Sequence, residues 1–79
     1  MPKIHKLKIL PTYFDAVKSG EKTFEYRYND RDYNVDDTLI LCEWEHDAYT
    51  GRRITVKVSY ILKDFDELKK GWVVLAIKC

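Results

Sequence analysis

Three charged residues, Lys22, Glu25 and Arg27, are spaced so that they could build a polar binding site. Glu25 and Arg27 are two residues apart, so on a β-strand their side chains leave the same face, roughly 7 Å apart. Neither charged group is easily buried without a partner. Two interpretations follow: the residues form one wall of a cleft that accepts an anion, or they lie on a solvated outer strand face. Periodicity alone favours the solvated face.

Further residues could extend such a cleft by contacting phosphates or bases. Asn29 and Arg31 lie in a polar stretch whose side chains either satisfy one another or form a binding rim. Tyr49 stands beside a glycine and two arginines, which makes it a candidate for an exposed ring that stacks on a base. Arginine suits phosphate because its guanidinium binds in a bidentate way. The candidate ligand-binding residues are Lys8, Lys22, Glu25, Arg27, Asn29, Arg31, Tyr49 and Arg52.

Metal and cofactor chemistry find little support in the sequence. His5 and His46 are far apart, and Cys42 and Cys79 have neither metal-site spacing nor the density of a disulfide framework. No glycine-rich phosphate loop and no G-x-S-x-G sequence occurs. The sequence therefore predicts no metal, no cofactor and two reduced cysteines.

Composition predicts one folded domain spanning residues 1–79. The chain is 46% hydrophobic and 34% charged, with a net charge of +1. Residues 1–31 carry a net charge of +3, residues 32–51 carry −6 and residues 52–79 carry +4. This balance argues against tight non-specific binding to long nucleic acid but permits a small anionic ligand. No apolar run reaches membrane-spanning length and no signal peptide is recognised, so a cytoplasmic location without membrane association is expected.

The first half of the chain reads as strand, helix and strand. His5, Leu7 and Ile9 alternate with more polar positions, which predicts a short strand. Pro11 suits a helix start and Gly20 a helix end, so a helix is predicted over residues 12–19. In TFEYRY the side chains alternate with a period of two, which predicts a strand. Its aromatic face, residues 24, 26 and 28, is expected to be buried.

The second half reads as a polar loop followed by three strands. The loop over residues 29–37 is expected to be ordered by its own Asn and Asp side chains. Strands are predicted over residues 38–46 and 52–63, with DAYTG as the turn, followed by a polar connection and a final strand, WVVLAIK, buried on both faces. The long strand is expected to carry one apolar face, formed by Ile54, Val56, Val58, Tyr60 and Leu62.

The order β-α-β-β-β-β with a single helix predicts a sheet curled into a small barrel, with the helix closing one end. One helix cannot cover both faces of a flat five-stranded sheet in so short a chain. The residues predicted to be inaccessible are Phe24, Tyr26, Val56, Val58, Val74 and Leu75.

The segment HKLKILPTYFDAVKSGEKTFEYRYNDRD, with the later LCEWE and YTGR, resembles a family of small bacterial and phage domains of unknown function in the ASCH (activating signal cointegrator homology) branch of the PUA-like superfamily. The resemblance covers nearly the whole chain. Gly20, Lys22, Glu25 and Arg27 match the superfamily's G-x-K-x-x-E-x-R signature. The resemblance implies an α+β fold, a small PUA-like β-barrel of five or six strands with one main helix. One departure is Asp36, where relatives usually have glycine.

The resemblance also implies a function. PUA-like domains commonly bind RNA or modified bases, so RNA, a nucleotide or a modified nucleoside is the expected partner. An alternative is a small amidohydrolase acting on a modified nucleoside, with Lys22, Thr23, Glu25 and Glu43 as its candidate residues. Glu25 occupies the position of the expected threonine nucleophile, and a carboxylate does not replace a threonine alkoxide. A third reading is an accessory domain acting through protein contacts, and the oligomeric state stays open.

Overall fold

The computed structural model describes residues 2–64 and 66–79, which form five strands and one helix in the predicted order. The elements are β1 (Ile4–Ile9), α1 (Pro11–Ser19), β2 (Phe24–Tyr28), β3 (Thr38–Glu45), β4 (Ala48–Leu62) and β5 (Trp72–Lys78). The mostly β architecture with one short helix agrees with the predicted small α+β fold.

The five strands form one curled sheet, a half-barrel, in the order β1-β3-β4-β5-β2. β1 pairs with β3 in parallel, and the remaining neighbours pair antiparallel. β1 and β2 are therefore the two edges of the sheet, and no backbone ladder joins them among the described residues. One contact crosses from edge to edge, because the Arg27 guanidinium donates a hydrogen bond to the carbonyl oxygen of Lys8.

The single described helix has the boundaries that its proline and glycine predict. Pro11 occupies the first turn, where its missing N–H costs nothing. Gly20 follows the last residue with φ 87°, and its N–H donates to the carbonyl of Val17. Phe14 and Val17 are buried, so α1 packs this face onto the core. No helix within residues 2–64 and 66–79 is long and apolar enough to cross a membrane.

The core lies on the concave side of the sheet. Alternate residues of each long strand point into it, as the period of two requires. Val56, Val58 and Leu75 are buried as predicted. Val74 is only half-buried, because the convex side of β5 is not covered by another layer of structure. The final strand is therefore fully buried on one face rather than on both.

The predicted orientation of β2 is wrong. Phe24 is 47% exposed and Tyr26 is 45% exposed, whereas Glu25 is only 4% exposed. The charged face points inward and the aromatic face points outward. A buried carboxylate is tolerated here because Lys22 and Arg27 both contact it, which offsets the cost of removing its charge from water.

The β3–β4 hairpin is tighter than predicted. Its turn consists of His46 and Asp47, with φ 52° and 61°, between the paired residues Glu45 and Ala48. Two left-handed residues in succession suit a two-residue hairpin, since this turn matches the twist of the strands. The rest of DAYTG, from Ala48 onward, therefore belongs to β4 instead of forming a turn.

A β-bulge changes which side of β4 faces the core. Val58 pairs with Ile77, but Tyr60 pairs with Ala76, so Ser59 is an extra residue on the strand. Beyond the bulge the half-buried Ile61 packs against the core, whereas Tyr60 and Leu62 are exposed. The prediction that Tyr60 and Leu62 share a face with Val58 is therefore wrong.

Side chains of the loop over residues 29–37 form hydrogen bonds with the backbone of the same loop, as the prediction requires. Asn29 accepts a hydrogen bond from the N–H of Tyr33, and Asp37 accepts one from the N–H of Asn34. Asp36 has φ 78°, in the left-handed region that costs a residue with a Cβ atom more than it costs glycine.

Replacing Asp36 with glycine is expected to raise the free energy of unfolding by about 0.5–1 kcal/mol, because the left-handed backbone is then unstrained. Urea or thermal unfolding of the parent and Asp36→Gly measures the difference. Asp30→Gly is the matched control, since Asp30 is exposed, lies in the same loop and is not among the residues with positive φ. Equal destabilisation by both substitutions would show that the backbone at Asp36 stores no strain.

Candidate functional site

A groove of about 1060 Å³ lies between the two edges of the sheet. We call it the edge groove. One side is formed by residues 6–10 of β1 and the segment that follows it, and the other by residues 24–28 of β2. Tyr13 and Ala16 of α1 close one end, and Asp30 and Arg31 of the loop line another part. The groove is open to solvent and large enough for a small ligand.

Lys22, Glu25 and Arg27 form a charged triad in the floor of the edge groove. Glu25 accepts hydrogen bonds from the Lys22 ammonium through Oε1 and from Arg27 Nε through Oε2, the latter at 2.9 Å. The Glu25 side chain is 5% exposed, whereas those of Lys22 and Arg27 are 17% and 27% exposed. The cations therefore stay accessible to a ligand while the carboxylate holds both of them.

Local structure explains why these three side chains meet. Gly20 ends the helix, and the N–H of Lys22 then donates to the carbonyl of Ala16, which fixes the lysine beside the helix end. Pairing of β2 with β5 sets Glu25 opposite Leu75, both facing inward. The contact from Arg27 to Lys8 then ties the guanidinium to the opposite edge of the groove.

Aromatic side chains form one rim of the edge groove, and we call Phe24, Tyr26, Tyr28 and Trp72 the aromatic rim. Tyr26 stacks on Trp72 with ring centroids 4.7 Å apart, and Tyr28 meets Trp72 edge to face at 6.0 Å. The Lys22 ammonium lies 5.2 Å from the Phe24 ring centroid, within the range of a cation–π contact. Exposed rings beside fixed cations suit a planar, anionic ligand.

The opposite rim is basic. Lys6 and Lys8 line it, together with Tyr49, which is 58% exposed. The Lys8 ammonium lies 4.0 Å above the ring of Trp44, and Tyr49 packs edge to face on the same ring at 4.8 Å. The Trp44 ring thus holds both Lys8 and Tyr49 beside the groove.

Tyr33 adds a neutral polar group to the wall of the groove. Its ring is 3% exposed and meets the ring of His5 edge to face at 4.8 Å. Burial raises the pKa of Tyr33 above its ordinary value of 10.0, against the opposing effect of nearby Arg27. The phenol therefore keeps its proton at neutral pH.

A second charged cluster lies outside the edge groove, around Glu43. Glu43 accepts hydrogen bonds from Arg52 at 2.6 and 3.0 Å and from the Thr50 hydroxyl at 2.6 Å. Arg52 also bonds Asp15 of the helix at 3.0 Å and lies over the ring of Phe14. These contacts tie β3 and β4 to α1.

The hydrogen bonds from Arg52 and Thr50 lower the pKa of Glu43 from 4.5 to about 2. A lowered folded-state pKa means that this carboxylate stabilises the fold above about pH 4.5, and that the stabilisation is lost as the pH falls towards 2. The stability difference between the parent and Glu43→Gln should therefore be large at neutral pH and shrink across this window. Thermal unfolding as a function of pH measures it.

Glu45→Gln is the control for this measurement, because the Glu45 side chain is 48% exposed. It should leave the acid dependence of stability close to that of the parent. A Glu43→Gln variant that keeps the full parental difference at pH 2 would contradict the assignment of the lowered pKa to Glu43.

A third cluster joins the loop to β1 through Asp37, which is 1% exposed. Its Oδ1 accepts the N–H of Lys3 at 2.9 Å, and its Oδ2 lies 2.8 Å from His5 Nε2 and accepts the N–H of Asn34 at 3.0 Å. Burial opposes ionisation, but the bonds from Lys3, His5 and Asn34 outweigh it and lower the pKa of Asp37. Asp37 is therefore a buried carboxylate that anchors the loop.

The structure brings most of the sequence-predicted ligand-binding residues to the edge groove. Its lining includes Lys8, Lys22, Glu25, Arg27, Arg31 and Tyr49. Asn29 instead bonds the backbone of its own loop, and Arg52 is engaged by Glu43 and Asp15. Neither of these two lines the groove.

The residues considered for a hydrolase fall into separate groups. Lys22 contacts Glu25, whereas Glu43 bonds Thr50 and Arg52. No hydrogen bond in the described parts of the chain links the Lys22–Glu25 pair to Glu43 or to the hydroxyl of Thr23. Within residues 2–64 and 66–79, no group of three or more His, Cys, Asp or Glu side chains is placed to hold a metal ion.

Sequence reasoning missed Tyr13 and the aromatic rim as groove residues. The apolar face of a strand is usually the buried one, which is why the aromatics of β2 are predicted as core. The match to G-x-K-x-x-E-x-R does not correct this, because a strand whose charged face lines a cleft can still bury its opposite face.

Two comparisons relate the chain to known proteins. The sequence profile of the family described as "Domain of unknown function (DUF3850)" matches residues 4–77. The chain is also similar to the "Uncharacterized 12.9 kDa protein in GpA 3'region" of Escherichia phage P2, at 39% identity over 75 residues, or 95% of this chain and 68% of the phage protein. These matches confirm the predicted kinship with small phage domains of unknown function. Because the profile matches nearly the whole chain, the chain belongs to the DUF3850 family.

Proposed function

We propose that this protein is a binding module that holds a nucleotide unit, free or within RNA, in the edge groove. The observation that carries the proposal is the triad of Lys22, Glu25 and Arg27, in which a buried carboxylate holds two accessible cations. Such preorganisation lowers the cost of binding an anion, because the cations are already ordered.

The groove offers a separate contact for each part of a nucleotide. Arg27 and Lys22 can bind phosphate, and the planar guanidinium gives Arg27 the stronger, bidentate contact. The aromatic rim can stack on a base, as exposed rings do in many single-strand binding proteins. Glu25 and the protonated Tyr33 add an acceptor and a donor for base edges or sugar hydroxyls.

The finer assignment to the ASCH branch of the PUA-like superfamily is part of the same proposal. It is supported by the G-x-K-x-x-E-x-R signature, whose glutamate contacts both the lysine and the arginine in this chain. It is also supported by the curled five-stranded sheet with one helix. Both features agree with the fold and the cleft that the resemblance implies.

A thermal-stabilisation screen tests the proposal. The four ribonucleoside monophosphates, the corresponding nucleosides and short single-stranded RNAs are each added, and the melting temperature is measured. A ligand that binds only the native state raises the melting temperature in proportion to the logarithm of its concentration once binding is saturated. Stabilisation by a nucleotide or RNA, with inorganic phosphate giving a smaller shift, is the expected result.

Two further observations distinguish the proposed module from the other two functions considered. In a separate assay, the protein is incubated with an acylated nucleoside and the products are separated by chromatography; hydrolysis of the acyl group would identify a hydrolase. The absence of any shift with nucleosides, nucleotides and RNAs at millimolar concentration would overturn the proposal and leave the protein-interaction reading.

A further inference from the structure

The convex side of the sheet presents a continuous patch of aromatic and apolar side chains across three strands, exposed on β2 and β4 and half-buried on β5. Strand pairing places Phe24 beside Ala76 and Ala76 beside Tyr60, so all three lie on the same face. The next row sets Tyr26 beside Val74 and Leu62, and the next sets Tyr28 beside Trp72. We call this surface the outer face; it consists of Phe24, Tyr26, Tyr28, Tyr60, Leu62, Trp72, Val74 and Ala76.

The outer face continues outward from the aromatic rim of the groove. Tyr60 is 63% exposed and lies two strands from Phe24, with only the small side chain of Ala76 between them. Two strand spacings separate the Cα atoms of Phe24 and Tyr60 by on the order of 10 Å. The shallow space above Ala76 is therefore flanked by two rings and can receive a planar group.

The charges on this side of the sheet all have one sign. The outward-facing strand positions include five cations, Lys6, Lys8, Arg53, Lys57 and Lys78. Among the described residues these positions include no Asp or Glu, because Glu25 and Glu43 point inward and Glu45, at the hairpin end of β3, alternates with the outward-facing Trp44. Lys57 and Lys78 pair side by side, next to the row that contains Tyr60. Exposed rings bordered by cations complement a chain of bases and phosphates.

We propose that the outer face binds single-stranded nucleic acid, with bases stacked on Tyr60 and the aromatic rim and phosphates held by Lys57 and Lys78. The inference rests on the proposed function for its class of ligand and extends it. One nucleotide enters the edge groove and its neighbours continue across the convex side of the sheet. The preferred ligand is then an oligonucleotide rather than a free nucleotide.

A second copy of the chain is a poorer occupant of this surface. Two-fold symmetric dimers bring the same patch of each subunit together. Two outer faces would then place the cations of the outward-facing strand positions against one another, which opposes association. A duplex is also disfavoured, since its bases are stacked on one another and cannot reach the rings.

Fluorescence anisotropy with labelled oligouridylates tests the inference, using lengths of roughly 4, 8 and 12 nucleotides that span the sites of single-strand binders. Tyr60→Ala should weaken binding of the longest oligouridylate at least about five-fold, the effect of losing one stacked base. Tyr60→Phe keeps the ring and should bind like the parent. Binding of uridine monophosphate should be unchanged in both variants, because Tyr60 does not line the edge groove.

The phosphate contacts are tested by the salt dependence of the same binding. The double variant Lys57→Gln and Lys78→Gln should reduce the slope of log affinity against log salt by about 0.7 for each lysine. Lys18→Gln, an exposed position on the helix, is the control and should leave the slope unchanged.

Each outcome separates the two proposals. Parental binding of the longest oligouridylate by Tyr60→Ala overturns the role of the outer face, whatever the groove binds. Loss of uridine monophosphate binding in Arg27→Ala supports the groove and is independent of Tyr60. Sedimentation tests the alternative of a subunit interface. If the parent is dimeric, Tyr60→Ala is monomeric and both bind oligouridylate equally, the outer face is a subunit interface and the inference is overturned.

Discussion

Replacing Asp37 with alanine is expected to lower the free energy of unfolding by about 3–5 kcal/mol, because three hydrogen-bonding groups lose their shared carboxylate acceptor. The carboxylate accepts the N–H groups of Lys3 and Asn34 and contacts His5. Alanine would leave the buried His5 ring and the partly buried N–H groups of Lys3 and Asn34 without this acceptor, and a buried unsatisfied group costs about 1–3 kcal/mol. A domain of this size is stabilised by only about 5–10 kcal/mol, so the variant should lose a large share of its stability.

Chemical denaturation of the parent, Asp37→Ala and Asp37→Asn measures this effect. Asp37→Asn should be intermediate, because the amide keeps one acceptor oxygen but presents a donor to the other partners. Asp30→Ala is the control, since Asp30 is exposed and should change stability by less than about 0.5 kcal/mol. Equal stability of Asp37→Ala and Asp30→Ala would show that the loop does not depend on the buried carboxylate.

Replacing Arg27 with alanine is expected to weaken binding of the best mononucleotide of the screen by about 1.5–3 kcal/mol, or roughly 10- to 150-fold. The reason is the loss of a charge-assisted contact that Glu25 holds in place before the ligand arrives. The fold should persist, because the strand ladders and the core do not include the guanidinium. Lys22→Ala should show a smaller loss, since an ammonium makes a point contact rather than a bidentate one.

Isothermal titration calorimetry and thermal unfolding should be measured together for Arg27→Ala and Glu25→Gln. Arg53→Ala is the matched control, because Arg53 is exposed on the outward side of β4 and does not line the groove. Its affinity for a mononucleotide should equal that of the parent. If Arg27→Ala and Glu25→Gln bind like the parent but melt far lower, the triad is a structural ion-pair network and the groove is not its binding site.

The sequence by itself determined the order of elements and the shared face of Glu25 and Arg27. Pro11 and Gly20 limit the helix through their own backbone preferences, which act without help from distant residues. Alternation over residues 24–28 requires Glu25 and Arg27 to share a face, whichever face that is. The loop over residues 29–37 was also predictable, because Asn and Asp bond to nearby backbone groups.

The tertiary structure alone decided which face of β2 is buried and where the buried face of β4 changes. A period of two defines two faces but not their direction, and β2 turned its charges inward because Lys22 and Arg27 neutralise Glu25 there. One extra residue at Ser59 reversed the sides of β4, a shift that alternation cannot show. Arg52 forms salt bridges with Glu43 and Asp15, and the positions of these residues along the chain do not predict these contacts. The edge groove exists only because the sheet curls until β1 and β2, its two unpaired edges, face each other, and that depends on contacts between residues remote along the chain.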